Sequence, residues 1–201
     1  MSVDRTYRSY RFYYSILRFF AGILVRFRVI GRENIPEGGA LVCANHSHWC
    51  DPILMAFALT KKVHLHVIGK KELFNVPVLG KILKKIGSFP VDREGVDVSA
   101  VRMALHYLKG GGKVGIFPEG TRTSTDGSVE AKVGAVRMAE MARVPVLPVY
   151  IPRRKRLFHK LTVVIGKPYM INEAHQRLAP EAYQELTDQL MEKIGALGAA
   201  A

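Results

Sequence analysis

The beginning of the chain carries apolar side chains at helical spacing. One face of the predicted helix would hold Tyr10, Tyr13, Tyr14, Leu17, Phe20, Ala21 and Leu24. The opposite side is apolar as well, with Phe12, Ile16, Phe19 and Ile23. Arg18 interrupts the apolar stretch 12–25, and a membrane-spanning helix needs about 20 apolar residues, so we do not expect this segment to span a bilayer.

Basic side chains border the apolar face of this helix. They are Arg5, Arg8, Arg11 and Arg18, and aromatic residues lie between them. Such a composition is typical of a helix that lies among lipid headgroups. The alternative is a helix packed on the core of the protein, and the two apolar sides would allow one to face protein and the other lipid. We therefore predict an amphipathic, membrane-associating helix at residues 1–27.

Beyond this helix, strand-like and helical patterns alternate along the chain. The predicted strands are at 27–30, 40–44, 63–68, 89–91, 114–117, 146–151 and 161–165. The predicted helices are at 52–59, 78–86, 96–108, 133–142 and 180–196. This alternation predicts a single α/β domain at residues 28–201, with a largely parallel sheet flanked by helices. Functional side chains should then gather beyond the carboxyl ends of the strands.

The net charge of the chain favours anionic partners but does not distinguish among them. The formal net charge is +13, which favours nucleic acid, anionic lipid or phosphorylated substrates. The cysteines, Cys43 and Cys50, form no disulfide framework, which fits a reducing compartment.

A histidine and an aspartate follow the apolar strand ALVCA in the segment NHSHWCDP. Asp51 before Pro52 is typical of a helix start, with Asp as the N-cap and Pro in the first turn. His46 lies in the preceding loop, which would let its ring turn back toward Asp51. An aspartate that holds one imidazole nitrogen leaves the other to take a proton from a hydroxyl. The alternatives are a purely structural cap, a loop histidine without a role, and a metal site; no third metal ligand has suggestive spacing.

The order and spacing of four segments resemble the glycerolipid acyltransferase family, of the 1-acyl-sn-glycerol-3-phosphate (lysophosphatidate) acyltransferase type. NHSHWCD at 45–51 matches the family's N-H-x-x-x-x-D box. GSFPVDR at 87–93, FPEGTRT at 117–123 and VPVLPV at 144–149 are similar to the second, third and fourth boxes, and Lys132 with Gly134 and Ala135 to a segment between the last two. Thr123 replaces the usual Ser. The resemblance covers about residues 28 to 170.

The resemblance implies roles for individual residues. His46 would be the catalytic base and Asp51 its partner, and Asn45 would support the His46 loop. Arg93 and Arg122 offer planar donors that match phosphate oxygens and would bind the acceptor's phosphate. The resemblance further implies that Glu119, Gly120 and Thr121 orient the acceptor, although Glu119 could instead pair with Arg122. No metal and no cofactor are implied.

The reaction implied is direct transfer of a fatty acyl group from acyl-CoA or acyl-acyl carrier protein to the sn-2 hydroxyl of 1-acyl-glycerol 3-phosphate, giving phosphatidate. The expected partners are lysophosphatidate, the acyl donor and anionic membrane lipids, without nucleic acid. The expected location is the cytoplasmic face of the cell membrane, as a peripheral or monotopic protein.

Other functions fit parts of the same sequence. Another lysophospholipid or glycerol 3-phosphate could be the acceptor. Ser47 or Cys50 beside His46 could make the protein a hydrolase. The basic run Arg153-Arg154-Lys155-Arg156 could belong to a module that binds lipid or nucleic acid without catalysis, or could be a solvated loop.

Overall fold

The computed structural model describes residues 3–93, 95, 97–125, 129–174, 176 and 178–201. Its strands are β1 (Arg26–Ile30), β2 (Ala40–Ala44), β3 (Leu65–Lys70), β4 (Phe89–Val91), β5 (Lys113–Ile116), β6 (Val146–Tyr150) and β7 (Lys160–Ile165). Its α-helices are α1 (Val3–Leu24), α2 (Asp51–Leu59), α3 (Pro77–Lys85), α4 (Val98–Lys109), α5 (Gly134–Ala142) and α6 (Ala182–Ala196). The predicted start of α4 at Val96 lies outside the described residues.

The strands form one sheet in the order β1-β7-β6-β2-β5-β3-β4. Neighbouring strands run parallel, except that β6 and β7 are antiparallel. The predicted α/β domain with a largely parallel sheet is thus confirmed. Parallel strands are covered on both faces by the helices that connect them, so β2 reads as an unbroken apolar run and is buried throughout.

The two faces of the sheet are packed by different helices. Leu41 and Cys43 of β2 point into a core built with α4, α5 and α6. Val42 and Ala44 point to the other face, where α2 and Tyr10 of α1 pack. Because successive side chains of a strand alternate between faces, β2 anchors both cores and fixes the position of the loop that follows it.

Helix α1 packs on the protein with one side. Tyr10 is buried, Tyr14 donates a hydrogen bond to the carbonyl of Phe57 (3.5 Å), and the guanidinium of Arg18 lies 5.3 Å from the ring centre of Phe27. Arg18 therefore stacks on the protein's own aromatic rings. Leu17, Phe20 and Leu24, predicted on the same face as Tyr10, remain exposed.

The opposite side of α1 is a continuous exposed apolar surface. Phe12 is 61% exposed and Phe19 68%, and Ile16 and Ile23 are also exposed. None of the helices in the described part of the chain has the length and hydropathy needed to cross a bilayer. The predicted boundary between residues 27 and 28 falls inside β1, which pairs with β7, so the segment after α1 belongs to the sheet.

Candidate active site

A cleft of about 450 Å³ lies at the carboxyl ends of the parallel strands. Its lining comes from the segments that follow β2, β3, β4 and β5, which end at the same edge of the sheet. The lining residues are His46, Lys70, Glu72, Asp92, Arg93, Gly120, Thr121 and Arg122. Sequence segments more than 70 residues apart therefore meet in one place.

His46 and Asp51 form a hydrogen-bonded pair at this cleft. His46 Nδ1 lies 3.0 Å from Asp51 Oδ2, and the imidazole stacks on Phe117 with ring centres 4.2 Å apart. The carboxylate fixes a proton on Nδ1, so Nε2 is the ring nitrogen left to accept one. This geometry would allow His46 to act as a base whose ring is oriented by the Asp51 carboxylate.

Asp51 does not cap its own helix, contrary to the sequence prediction. Helix α2 begins at Asp51, and its N-cap is Cys50. The carboxylate instead turns back into the preceding loop, where Oδ2 accepts hydrogen bonds from the amides of Ser47 (2.6 Å) and His48 (2.7 Å). This turn is what brings the carboxylate to His46.

Asp51 is fully buried, yet its surroundings favour the ionised form. Lys155 Nζ lies 2.8 Å from Asp51 Oδ1. Burial raises the pKa of Asp51, but the hydrogen bonds from His46 and Lys155 and from the two loop amides outweigh it, so the pKa lies below its ordinary value. Asp51 is therefore an anion at neutral pH.

Glu119 binds the His46 loop from behind. Its carboxylate is buried and accepts hydrogen bonds from the amide of His46, from the hydroxyl of Thr123 (2.7 Å) and from Arg153 Nη2 (2.8 Å). The amide of Thr123 in turn donates to the carbonyl of His46 (2.8 Å). The alternative that Glu119 pairs with Arg122 is wrong, because its ionic partner is Arg153.

Arg93 and Arg122 both line the cleft, and both are exposed. Arg93 Nη1 donates a hydrogen bond to the carbonyl of Gly120 (2.5 Å), which ties the second and third boxes together. Gly120 adopts a positive φ of 66°, and a Cβ there would lie 3.2 Å from Lys132 Cε. The left-handed backbone favours glycine at this turn, and a larger residue would also require the Lys132 side chain to shift.

Asn45 joins the ends of two central strands. It is buried, its Nδ2 donates to the carbonyl of Ile151 (2.8 Å), and its Oδ1 accepts from the amide of Ile151 (2.8 Å). These bonds hold the segments after β2 and β6 at a fixed separation. Asn45 thereby supports the loop that carries His46.

Three cations of this region were not predicted as site residues. Lys70 lines the cleft at the end of β3. Arg153 and Lys155 were predicted as part of an exposed basic run, but their side chains are only 11% and 13% exposed and reach Glu119 and Asp51. Arg154 and Arg156 are exposed. The signal that could have located Arg153 and Lys155 is their position directly after a central strand.

Metal ligation has no candidate among the described residues, since His, Cys, Asp and Glu side chains nowhere form a group of three suited to an ion. His48, the second histidine of the loop, instead places Nδ1 3.0 Å from the sulfur of Cys50.

Comparison with known proteins identifies the family of the chain. A family model described as Acyltransferase matches residues 26–152. A protein of Bacillus subtilis named 1-acyl-sn-glycerol-3-phosphate acyltransferase is 34% identical over 92% of this chain and 94% of its own length. A protein of the same name from Streptococcus pneumoniae is 39% identical over 54% of this chain and 40% of its own length.

The fold is similar to the crystal structure of the 1-acyl-sn-glycerophosphate acyltransferase PlsC from Thermotoga maritima. The TM-score is 0.70 at 24% identity, and the match covers 96% of this chain and 80% of that one. At this identity the likeness concerns the fold. Because the family model matches residues 26–152, more than half of the chain, and the Bacillus subtilis relative is 34% identical over nearly its whole length, the chain belongs to the acyltransferase family.

Proposed function

We propose that the protein transfers a fatty acyl group from an acyl thioester to the sn-2 hydroxyl of 1-acyl-glycerol 3-phosphate, which yields phosphatidate. The observation that carries this proposal is the shared cleft, in which the His46–Asp51 pair lies beside Arg93 and Arg122. A histidine base and a phosphate-binding surface in one cleft suit an acceptor that has both a hydroxyl and a phosphate. The names of the two bacterial relatives support the same acceptor.

In the proposed mechanism, Arg93 and Arg122 bind the phosphate and Lys70 adds a third positive charge. Docking the phosphate places the free hydroxyl beside Nε2 of His46. The imidazole removes the hydroxyl proton as the oxygen attacks the thioester carbon, and Asp51 stabilises the imidazolium that forms. The carbon–sulfur bond then breaks, and the thiolate takes the proton from His46, which restores the starting state.

The loop geometry favours direct transfer over an acyl-enzyme. The hydroxyl of Ser47 accepts a hydrogen bond from Lys155 (2.8 Å). The thiol of Cys50 contacts His48, and burial together with the nearby Asp51 raises its pKa, which makes it a poorer nucleophile. The described contacts thus place neither group against His46 as an activated nucleophile. This is the observation that weighs against the hydrolase alternative.

The donor in this proposal is acyl-CoA or acyl-acyl carrier protein, which acts as co-substrate, and no further cofactor is required. Both donors are anionic, which suits a chain with a net charge of +13.

We further propose that the protein is peripheral or monotopic at the cytoplasmic face of the cell membrane. The exposed side of α1, which includes Phe12, Phe19 and Ile23, would lie at the boundary between headgroups and acyl chains. Arg8 and Arg11 are exposed on the same helix and would contact anionic lipid. The free cysteines Cys43 and Cys50 are compatible with the reducing side of the membrane.

An acceptor panel tests the proposed substrate. Purified protein is assayed with each thioester donor against lysophosphatidate, glycerol 3-phosphate, lysophosphatidylcholine and monoacylglycerol. We expect the highest kcat/KM for lysophosphatidate, and poor use of monoacylglycerol because the cleft cations would then lack an anion. His46→Ala should lower turnover by at least ~10²-fold. Arg122→Ala should raise KM for lysophosphatidate, whereas Arg102→Ala, an exposed arginine on α4, should not.

Preference for glycerol 3-phosphate or for an acceptor without a phosphomonoester would contradict the proposed substrate. Near-normal turnover by folded His46→Ala would contradict the proposed base. A stable acyl adduct on Ser47 or Cys50, detected by mass spectrometry after incubation with donor alone, would favour a covalent route.

A further inference from the structure

Lys155 is a lysine folded inward against the catalytic loop. Its ammonium lies 2.8 Å from Asp51 Oδ1, donates to the hydroxyl of Ser47 at 2.8 Å, and donates to the carbonyl of Pro152 at 2.8 Å. An ammonium has three N–H donors, and three oxygens surround this one. We propose that Lys155 is a positioning residue of the acyl-transfer centre, which holds Asp51 in place and sets the pH below which the His46–Asp51 pair becomes protonated.

The contacts of Asp51 show why a cation is needed at this position. Oδ2 accepts hydrogen bonds from Nδ1 of His46 and from the amides of Ser47 and His48. Among the described residues, the partner of Oδ1 is Lys155. Without Lys155, one oxygen of a fully buried carboxylate would face no donor, which is costly for an anion. Lys155 therefore fixes the rotation of the carboxylate, and through it the orientation of the imidazole.

The charge of Lys155 acts on the proton chemistry of the same pair. A carboxylate beside an imidazole stabilises the protonated ring, and a cation on the far oxygen of that carboxylate offsets part of this effect. With Lys155 present, the pair accepts its proton at a lower pH than Asp51 alone would allow. Removal of Lys155 should therefore raise the pH at which the pair takes up a proton.

Other charged groups lie around the pair. Behind His46, the carboxylate of Glu119 is paired with Arg153. Beside Asp51, His48 and Cys50 contact each other. The charged groups across the cleft are Lys70, Glu72, Asp92, Arg93 and Arg122. Lys155 is accordingly the cation in direct contact with Asp51, and its removal changes the charge of the pair itself.

The proposal rests on the proposed role of His46 as the base, and the test separates the two. The dependence of kcat/KM on pH is measured for wild type, Lys155→Met and Lys155→Arg. Arg154→Met is the matched control, because Arg154 is the exposed neighbour in the same basic run. For Lys155→Met we expect the fall of kcat/KM on the acid side to move up by about 1 pH unit. We also expect kcat at its plateau to drop about tenfold, because Asp51 is less well fixed.

Lys155→Arg restores the positive charge and should return the acid-side fall most of the way to its wild-type position. Arg154→Met should match wild type throughout. Lys155→Gln keeps a hydrogen-bond donor but loses the positive charge, so we expect the same shift of the acid-side fall as for Lys155→Met. It replaces Lys155→Met if that variant does not fold.

An acid-side fall at the wild-type pH in folded Lys155→Met or Lys155→Gln would overturn the proposal, even if turnover decreased uniformly, because Lys155 would then be a packing residue. Retention of activity by His46→Ala would instead overturn the assignment of the base. Circular dichroism spectra and melting temperatures of all variants establish that the compared proteins are folded.

Discussion

At the residue scale, the site depends on side chains that are satisfied within the protein. Glu119 accepts hydrogen bonds from the His46 amide, Thr123 and Arg153, and Asn45 exchanges two with Ile151. Buried polar groups with complete sets of partners fix a unique local arrangement. The loop that carries His46 is therefore held from both sides before any substrate arrives.

The buried pair of Glu119 and Arg153 predicts a stability effect at one residue. Glu119→Gln removes the negative charge that lies 2.8 Å from Nη2 of Arg153, a side chain that is only 11% exposed. We expect a loss of roughly 3 kcal/mol in unfolding free energy, because the buried ion pair between Glu119 and Arg153 is broken. Urea denaturation of the variant against wild type measures this loss.

Glu37→Gln is the matched control, because Glu37 is exposed in a turn away from the cleft, and its change should stay within ~0.5 kcal/mol. Equal stability of the Glu119→Gln variant and the control would mean that the pair does not hold the loop. Activity measured on the same samples reports whether the His46 loop has moved.

The sequence predicted the pairing of His46 with Asp51, but not the contacts of other side chains that hold this pair and its loop in place. The pair was visible because a histidine after a strand and an aspartate before a proline carry local signals. The additional prediction that Asp51 caps α2 was wrong, because an aspartate before a proline is the same sequence signal whether its carboxylate caps the helix or turns back into the preceding loop. Lys155 and Arg153 were not predicted as site residues, because their ionic partners lie more than 30 residues away in the sequence. Without knowledge of the assembled sheet, a run of basic residues is most simply interpreted as a solvated loop.

At the element scale, the strands and helices were largely predictable because their patterns are strong. β2 and β4 have their predicted bounds, and β3 is shifted by two residues at each end. The hydrophobic periodicity and the composition of a segment indicate that a strand or helix exists, but the residues at which it begins and ends depend on tertiary contacts. Helix α1 shows the limit of the pattern. Leu17 and Phe20 share the predicted face with Tyr10, yet both are exposed. The side of α1 that packs on the protein holds Tyr14 and Ala21 together with Tyr10.

The exposed side of α1 predicts a change in lipid binding that does not affect chemistry. Phe19→Asp places a charge in the centre of this apolar side, where Phe19 is 68% exposed. We expect weaker sedimentation with vesicles that contain anionic lipid, because a carboxylate resists burial among acyl chains and repels the headgroups. Turnover of a short-chain, water-soluble lysophosphatidate should remain near wild type.

Met141→Asp is the matched control, because Met141 is also an exposed apolar residue but lies on α5. It should leave vesicle binding unchanged. Equal binding by wild type and the Phe19→Asp variant would contradict the proposed orientation of α1.

At the scale of the whole molecule, a stack of rings links α1, the sheet and α4. Tyr10 lies 4.7 Å from His64, His64 lies 4.0 Å from His66, and His66 stacks on Tyr107 at 3.7 Å between ring centres. His66 donates from Nδ1 to the carbonyl of Gly87 (2.9 Å). These contacts cross the layers of the fold, so the protonation of His66 affects the stability of the domain.

The stack predicts how stability depends on pH. Burial, with a smaller contribution from His64, lowers the pKa of His66 to about 4. The unfolded chain binds a proton at this position near pH 6.5, whereas the folded chain does not until about pH 4. Unfolding therefore takes up a proton between these values, and stability falls as the pH falls through this window, by on the order of 3 kcal/mol.

His66→Phe removes this group and should flatten the dependence of unfolding free energy on pH between about 6.5 and 4, even if the variant is less stable throughout. Denaturation series at several pH values measure the slope. An unchanged slope would assign the acid sensitivity of the domain to other groups.

The pairing of β1 with β7 has a consequence for the order in which the protein is made. Arg26 lies opposite Lys160 in the sheet, so β1 has no neighbour until the last strand has been synthesised. During translation, α1 is complete and outside the ribosome while the sheet still lacks its final members. A nascent chain that stopped before Lys160 would retain the apolar helix and expose β1 as an open edge, which favours aggregation.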